Sequence, residues 1–223
     1  MSKNIFITAT GTDVGKTYVS ALIVKKMREV GLNCGYYKPV LSGVVEKDGK
    51  LVESDCNYVV ETAKIPTSAN DCVGYFWKEA VSPHLAAKRA DETIDIMKIK
   101  EKFREKCEKY DYLLIEGAGG ITCPLRLENG EKFLLKDLIK ELNTSIIIVA
   151  DGGLGTINST LLTVEYAKMN NIEVKGIILN NFDSSSFMHQ DNLKQVEYLT
   201  GIKVIATVAK NQKDIKLLKD IFS

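Results

Sequence analysis

The chain has 223 residues, 45% of them apolar and 26% charged, a length and balance that allow a continuous buried core and argue against disorder or fibrous structure. Thirty basic against 29 acidic residues leave a formal charge of +1, so no strong field points to nucleic acid or a membrane surface, and small molecules are the expected partners. Cys34, Cys56, Cys72, Cys107 and Cys123 are odd in number and form no Cys-x-x-Cys pair; with only His84 and His189 beside them, they read as buried apolar side chains in a reducing compartment rather than as a zinc site.

Met1-Ser2-Lys3-Asn4 leads directly into an apolar strand predicted over 4–9, without a signal-peptide core. No run approaches the roughly 18 apolar residues of a membrane span, so a cytoplasmic protein is expected. A Gly/Thr loop follows, then a helix predicted over 16–30, with Val19, Leu22, Ile23, Met27 and Val30 on one face and Gly31 ending it. The stretch 41–80 is more polar and less regular; it reads as an active-site excursion with one short helix at 56–63. Further buried strands are predicted at 36–40, 112–115, 145–150 and 174–179, with a weaker one at 203–207, and helical patterns separate most of them. Strands apolar on both faces, alternating with amphipathic helices, predict a three-layer α/β fold of the P-loop kind, a parallel sheet with helices on both faces. No repeat or linker divides it, and one domain over 1–223 is expected. Ligands in such sheets bind at the carboxyl ends of the strands.

The motif Ala9-Thr10-Gly11-Thr12-Asp13-Val14-Gly15-Lys16-Thr17 falls between the first strand and the first helix. Glycine lets backbone N–H groups approach phosphate oxygens, the helix start adds partial positive charge, Lys16 reaches the β- and γ-phosphates, and the Thr17 hydroxyl is placed for Mg²⁺. Thr10 stands where the first glycine of a general phosphate loop is expected. Glu116 closes the strand Tyr112-Leu113-Leu114-Ile115 and precedes Gly117-Ala118-Gly119-Gly120, which permits close ligand approach. With Thr17 and Asp55 it can complete an octahedral Mg²⁺ site on ATP; Asp55 by itself also reads as part of a helix cap in Glu53-Ser54-Asp55. Lys38 is expected at the end of the second strand, with Ser42 after it: one to neutralise a transferring phosphoryl group, the other to bind a polar substrate group. Ser82-Pro83-His84 reads as an N-cap, a proline at the first helical position and a helix start, with His84 outside the catalytic set.

Taken in order, Thr12-Asp13-Val14-Gly15-Lys16-Thr17, Tyr37-Lys38-Pro39-Val40 with Ser42-Gly43, Ser54-Asp55, Ser82-Pro83-His84 and Glu116-Gly117-Ala118-Gly119-Gly120 resemble the dethiobiotin synthetase family over almost the whole chain. Two positions depart from its pattern: Ala9 replaces the glycine before the loop, and Ala209-Lys210-Asn211 lacks a Pro-containing segment. The resemblance implies that 7,8-diaminononanoate, CO₂ and ATP give dethiobiotin, ADP and phosphate, with Mg²⁺. It implies catalytic roles for Lys16 and Lys38, and nucleotide binding by Thr12, Asp13, Val14, Gly15, Lys16, Thr17, Tyr18, Asp55, Glu116, Gly117, Ala118, Gly119, Asn180 and Asn181. It also implies a homodimer. The Gly-rich turn Ala150-Asp151-Gly152-Gly153-Leu154-Gly155-Thr156-Ile157-Asn158 looks like a second anion site, and the family reading gives Gly155 and Asn158 the diamine's carboxylate across the subunit boundary, with Ser42 on the substrate side.

Two other readings remain open on sequence. A partitioning or septum-positioning ATPase shares the sheet, but its second lysine early in the loop is replaced by Gly11, and 213–223 lacks a strong amphipathic anchor. A GTPase switch would read guanine through Asn-Lys-x-Asp; Asn180-Asn181-Phe182-Asp183 has Asn181 in place of the lysine.

Overall fold

The computed structural model describes residues 2–128, 130–217 and 221–222, so part of the C-terminal stretch 213–223 lies outside the described residues. The chain opens with β1 (Lys3–Ala9), α1 (Lys16–Glu29) and β2 (Cys34–Ser42). A small hairpin, β3 (Val45–Lys47) and β4 (Lys50–Glu53), leads to α2 (Asp55–Ala63), a 3₁₀ turn (Asn70–Cys72) and β5 (Val73–Trp77). Then come α3 (Pro83–Arg89), α4 (Ile96–Lys109), β6 (Tyr112–Glu116), a second hairpin of β7 (Pro124–Glu128) and β8 (Glu131–Leu134), and α5 (Leu135–Glu141). The last elements are β9 (Ile146–Asp151), α6 (Thr156–Met169), β10 (Val174–Asn180), α7 (Phe187–Thr200) and β11 (Val204–Val208).

Seven strands form one parallel sheet in the order β11-β10-β9-β1-β6-β2-β5. Successive side chains of a strand point to opposite faces, so the run Ile5, Phe6 and Ile7, each at 0% exposure, requires cover on both sides of the sheet. Leu113–Ile115, Ile146–Val149 and Ile177–Leu179 repeat the pattern. Each such side chain contributes about 1.5–3 kcal/mol by leaving water. The chain moves from β1 toward β2 on one side and later toward β9 on the other, which opens a crevice at the carboxyl end of β1.

The central strands lie where the apolar runs predicted them. Val30 does not join the buried face of α1: the helix ends at Glu29 and Val30, its C-cap, is 62% exposed. β2 runs past its predicted end to Ser42, which moves Lys38 from the strand end into its buried middle. The stretch 41–80 holds more order than its polarity suggested, because β5 pairs with β2 as the sheet edge and the β3–β4 hairpin stands outside the sheet. β5 is five residues long and partly exposed, too short and too mixed for a periodic signal.

Gly74 sits opposite Pro39 in the β2–β5 pairing, and a Cβ there would lie 2.3 Å from the Pro39 carbonyl oxygen. Backbone cannot yield as a side-chain tip can, so Gly74→Ala forces the strands apart at an overpacking cost of about 1–3 kcal/mol. Thermal unfolding followed by circular dichroism should show a melting temperature lower by about 2–10 °C. An unchanged value would mean that β5 does not dock closely on β2.

Candidate active site

The phosphate loop leaves β1 at Ala9 and enters α1 at Lys16. Asp13 and Gly15 adopt left-handed backbone, with φ of 59° and 89°. A Cβ on Gly15 would lie 2.1 Å from Asn180 Nδ2, so glycine is required there by both conformation and space. Thr10 is not among the positive-φ residues, which explains why a glycine is dispensable at that position. Lys16 folds back over the loop, its Nζ donating to the Gly11 carbonyl at 3.1 Å. Burial, followed by repulsion from Lys38, lowers its pKa.

Beneath the loop lies a buried charge cluster. Glu116, the last residue of β6, has 0% exposure, and Lys38 has 3%. Glu116 Oε1 accepts from Lys38 Nζ at 2.6 Å and from the Thr17 hydroxyl at 2.7 Å, and Oε2 accepts from the Tyr36 hydroxyl at 3.0 Å. Lys38 Nζ also donates to Asp55 Oδ2, at the first turn of α2. Burial pulls the Lys38 pKa down, but Glu116 and Asp55 together outweigh it and hold the ammonium above the ordinary lysine range. Burial acts on Asp55 in the opposite sense to its attraction to Lys38, and the attraction prevails, leaving that carboxyl below its ordinary value. Lys38 is therefore a buried cation fixed between two carboxylates.

The donors Thr17, Asp55 and Glu116 are hard oxygens of the kind Mg²⁺ selects, and Asp55 keeps 39% of its side chain exposed toward the cavity. Among the described residues there is no group of three or more His, Cys, Asp or Glu side chains able to enclose a metal. Two carboxylates and a hydroxyl, with the remaining positions left to substrate oxygens, fit Mg²⁺ on a nucleotide better than a metal caged by protein alone.

A cavity of about 900 Å³ opens over this cluster. Thr12, Asp13, Gly15, Lys16, Thr17, Tyr18, Lys38, Ser42, Asp55, Ala118 and Gly119 of the predicted set all line it. Val14 and Asn180 meet beside the loop, where Asn180 Nδ2 donates to the Val14 carbonyl at 3.0 Å, and Gly117 packs against Leu135 and Phe6. Asn181 turns toward β9, its Nδ2 donating to Asp151 Oδ2 at 2.8 Å. Gly155, the N-cap of α6, and Asn158 do not line the cavity. The sequence did not single out Tyr58, Cys123 or the Ala80–Val81 segment, which line it too. Cys123 was expected to be a buried core residue; it and Cys107 are only partly buried. Burial pushes the Cys123 thiol up to about 11 against the pull of Lys16.

Removing one member of a buried ion pair strands the other, at a cost of about 3–5 kcal/mol. Lys38→Ala should lose stability on that scale in urea unfolding, and the double variant Lys38→Met/Glu116→Gln should recover most of it while remaining inactive. Equal stability of Lys38→Ala and the unaltered protein would contradict the buried pair.

Residues 3–215 match the AAA domain family model described as AAA_26. The chain is 50% identical over 208 residues to the ATP-dependent dethiobiotin synthetase BioD of Brachyspira hyodysenteriae, covering 93% of this chain and 92% of that protein. It is 47% identical over 222 residues to the protein of the same name from Clostridium botulinum strain Eklund 17B, covering 99% and 97%. Among solved structures, the MinD cell division protein of Aquifex aeolicus superposes with a TM-score of 0.54 at 14% identity, covering 95% of this chain and 84% of that one. A ParA family ATPase from Chlorobium tepidum gives 0.52 at 12% identity, covering 94% and 85%. These two likenesses establish the fold alone, whereas the closer sequence matches span nearly the full length of both proteins. The chain belongs to the ATP-dependent dethiobiotin synthetase family.

Proposed function

We propose that this chain closes a ureido ring on 7,8-diaminononanoate, consuming CO₂ and ATP and releasing dethiobiotin, ADP and phosphate. The observation that carries the reading is the pairing of Lys38 with Glu116 and Asp55 beside Lys16, under a cavity large enough for a nucleotide and a second small molecule. One amine captures CO₂ as a carbamate, the carbamate oxygen attacks the γ-phosphate, and the second amine displaces phosphate from the mixed anhydride. Carbamate and triphosphate repel each other, and the ammonium groups of Lys16 and Lys38 offset that repulsion while the loop positions the γ-phosphate. Because Lys38 is held protonated, it supplies charge and not base catalysis. Thr17, Asp55 and Glu116 are the residues that would hold Mg²⁺, which would supply positive charge against the charge developing on the phosphoryl group.

We assign to Asn180 the recognition of a base with an amino donor at its 6-position. Its Nδ2 is committed to the Val14 carbonyl, which leaves Oδ1 buried without a partner, an acceptor in need of a donor. At the 6-position adenine offers one, whereas guanine, whose donors are N1–H and the 2-amino group, presents an oxo acceptor there. On the other side of the loop, Leu41, Ala80, Val81 and Pro83 give the cavity an apolar flank suited to the diamine's methylene chain, and Ser42 stands among them.

Gly155 has a φ of 88° and open space around its Cβ position, with Leu154 94% exposed next to it. Since this turn does not line the chain's own cavity, we assign to its N–H groups the carboxylate of a diamine bound in a neighbouring subunit of a homodimer. We read 1–223 as one domain acting on small molecules in the cytoplasm, without nucleic-acid or membrane partners. Among the described residues no helix is long and apolar enough to cross a membrane.

ADP release should require 7,8-diaminononanoate and bicarbonate together, with dethiobiotin accumulating and GTP serving less well than ATP. Equal hydrolysis without the diamine would favour a partitioning ATPase. In the same assay Asp55→Asn should raise the Mg²⁺ concentration needed for half-maximal rate, and an unaltered titration would remove Asp55 from the metal site. Light scattering should give a dimer, and Asn158→Ala should raise the KM for the diamine while leaving that for ATP unchanged. An active monomer of about 25 kDa would refute the shared site.

A further inference from the structure

Ser82-Pro83-His84 takes no part in phosphate or cation binding, yet Ser82 and Pro83 line the cavity together with Ser42 and Val81. Ser82 stands at the N-cap of α3, where a serine ordinarily accepts from a backbone N–H of the first turn. Here the side chain makes no cap bond; its Oγ lies 3.0 Å from His84 Nδ1 instead. A helix that forgoes its cap in favour of a hydroxyl–imidazole contact at a cavity wall is arranged for something other than helix stability.

Carbamate formation sets a proton problem at that wall. The amine nitrogen forms a bond to CO₂, one C=O electron pair moves onto oxygen, and the N–H proton must leave. Of the other polar groups around the cavity, Lys16 donates to the Gly11 carbonyl within the phosphate loop and Ser42 to the Val81 carbonyl. Lys38 is a cation bonded to Asp55 and Glu116, and both carboxylates are occupied by it. Burial keeps Cys123 a thiol and Tyr18 a phenol. Asp13 belongs to the phosphate loop. Imidazole is the side chain suited to accept a proton near neutral pH.

We propose that Ser82 and His84 form the proton outlet for the diamine: Ser82 Oγ takes the proton from the amine that captures CO₂ and passes its own to His84 Nδ1. The result is a carbamate and an imidazolium, and half-buried His84 then returns the proton to solvent. The inference rests on the diamine reading given above. α3 packs against β2 and β7. Of the titratable groups on these elements, Lys38 and Tyr36 bond Glu116, Tyr37 bonds the Ile99 carbonyl, Cys34 is buried, and Arg126 pairs with Glu131. Glu128 is exposed on β7; on α3 itself Arg89 pairs with Glu79 and Lys88 is exposed. The hydroxyl of Ser82 is thus the polar contact that the His84 ring makes.

The test is kcat/KM for the diamine at saturating MgATP, from about pH 6 to about pH 9, spanning the ordinary histidine range. His84→Gln and Ser82→Ala should each fall about 100-fold near neutral pH, with the deficit shrinking as pH rises and free base in solution takes over. Ser82→Thr should retain most of the activity, KM for ATP should stay unchanged, and added imidazole should restore part of the His84→Gln rate. Ser82→Ala removes a single oxygen at a half-buried site and carries the test if His84→Gln folds poorly. Wild-type values across the pH range in either folded variant overturn the proposal, as does a loss that neither pH nor imidazole alters. Absence of diamine-dependent turnover in the unaltered protein overturns the diamine reading and this proposal with it; normal turnover with indifferent variants overturns the proton outlet alone.

Discussion

The contact between Lys38 and Glu116 is the constraint around which the site is arranged. Both groups have left water, and burying two ions costs several kcal/mol each unless attraction and further hydrogen bonds offset it. The offset comes from four elements: the Thr17 hydroxyl from α1, the Tyr36 hydroxyl from β2, Asp55 from α2 and Glu116 itself from β6. Each also fixes the element that carries it, so the charge cluster sets the position of the phosphate loop relative to the polar wall of the cavity. Its pH window follows from the direction of the shifts. Lys38, held above its ordinary value, contributes stability that is present below the unfolded lysine value of about 10.4 and is lost only as pH rises through the higher folded value. Asp55, held below its ordinary value, contributes above about pH 3.9, and that contribution is lost as pH falls through the lower folded value.

Much of this was legible in the residues. Apolar runs such as Ile146–Val149 can be buried on two faces only inside a parallel sheet, and Gly15-Lys16-Thr17 between a strand and a helix has little other chemical use. Glu116 was readable because a carboxylate closed an apolar strand. The depth of Lys38 was not, since nothing local shows that β2 continues for four residues beyond it or that Asp55, 17 residues on, folds back to meet it. β5 and the two hairpins were hidden for a related reason: edge strands and short ribbons are mixed in polarity, and their pairing is settled by tertiary contacts. Cys123 and Tyr58 reach the cavity through loop and helix geometry that leaves no motif behind.

The sheet is shared with MinD and a ParA family ATPase, whose likeness stops at the fold. What distinguishes this chain lies in what surrounds the loop. Gly11 occupies the place where a partitioning ATPase would carry a second lysine, and a buried cation at the cavity comes instead from Lys38, on the chain's own second strand. A cation supplied from inside the fold suits the proposed reaction, in which a carbamate formed in the cavity must approach an anionic phosphate.

The central claim is that Glu116 and Asp55 fix Lys38 as a permanent ammonium. It is tested most directly by following the ¹⁵Nζ resonance of Lys38 through an alkaline titration. At about pH 10.4, where roughly half of free lysine side chains have lost a proton, Lys38 should remain protonated, and Glu116→Gln should bring its midpoint down. A Lys38 that titrates at or below the ordinary lysine value in the unaltered protein would contradict the account.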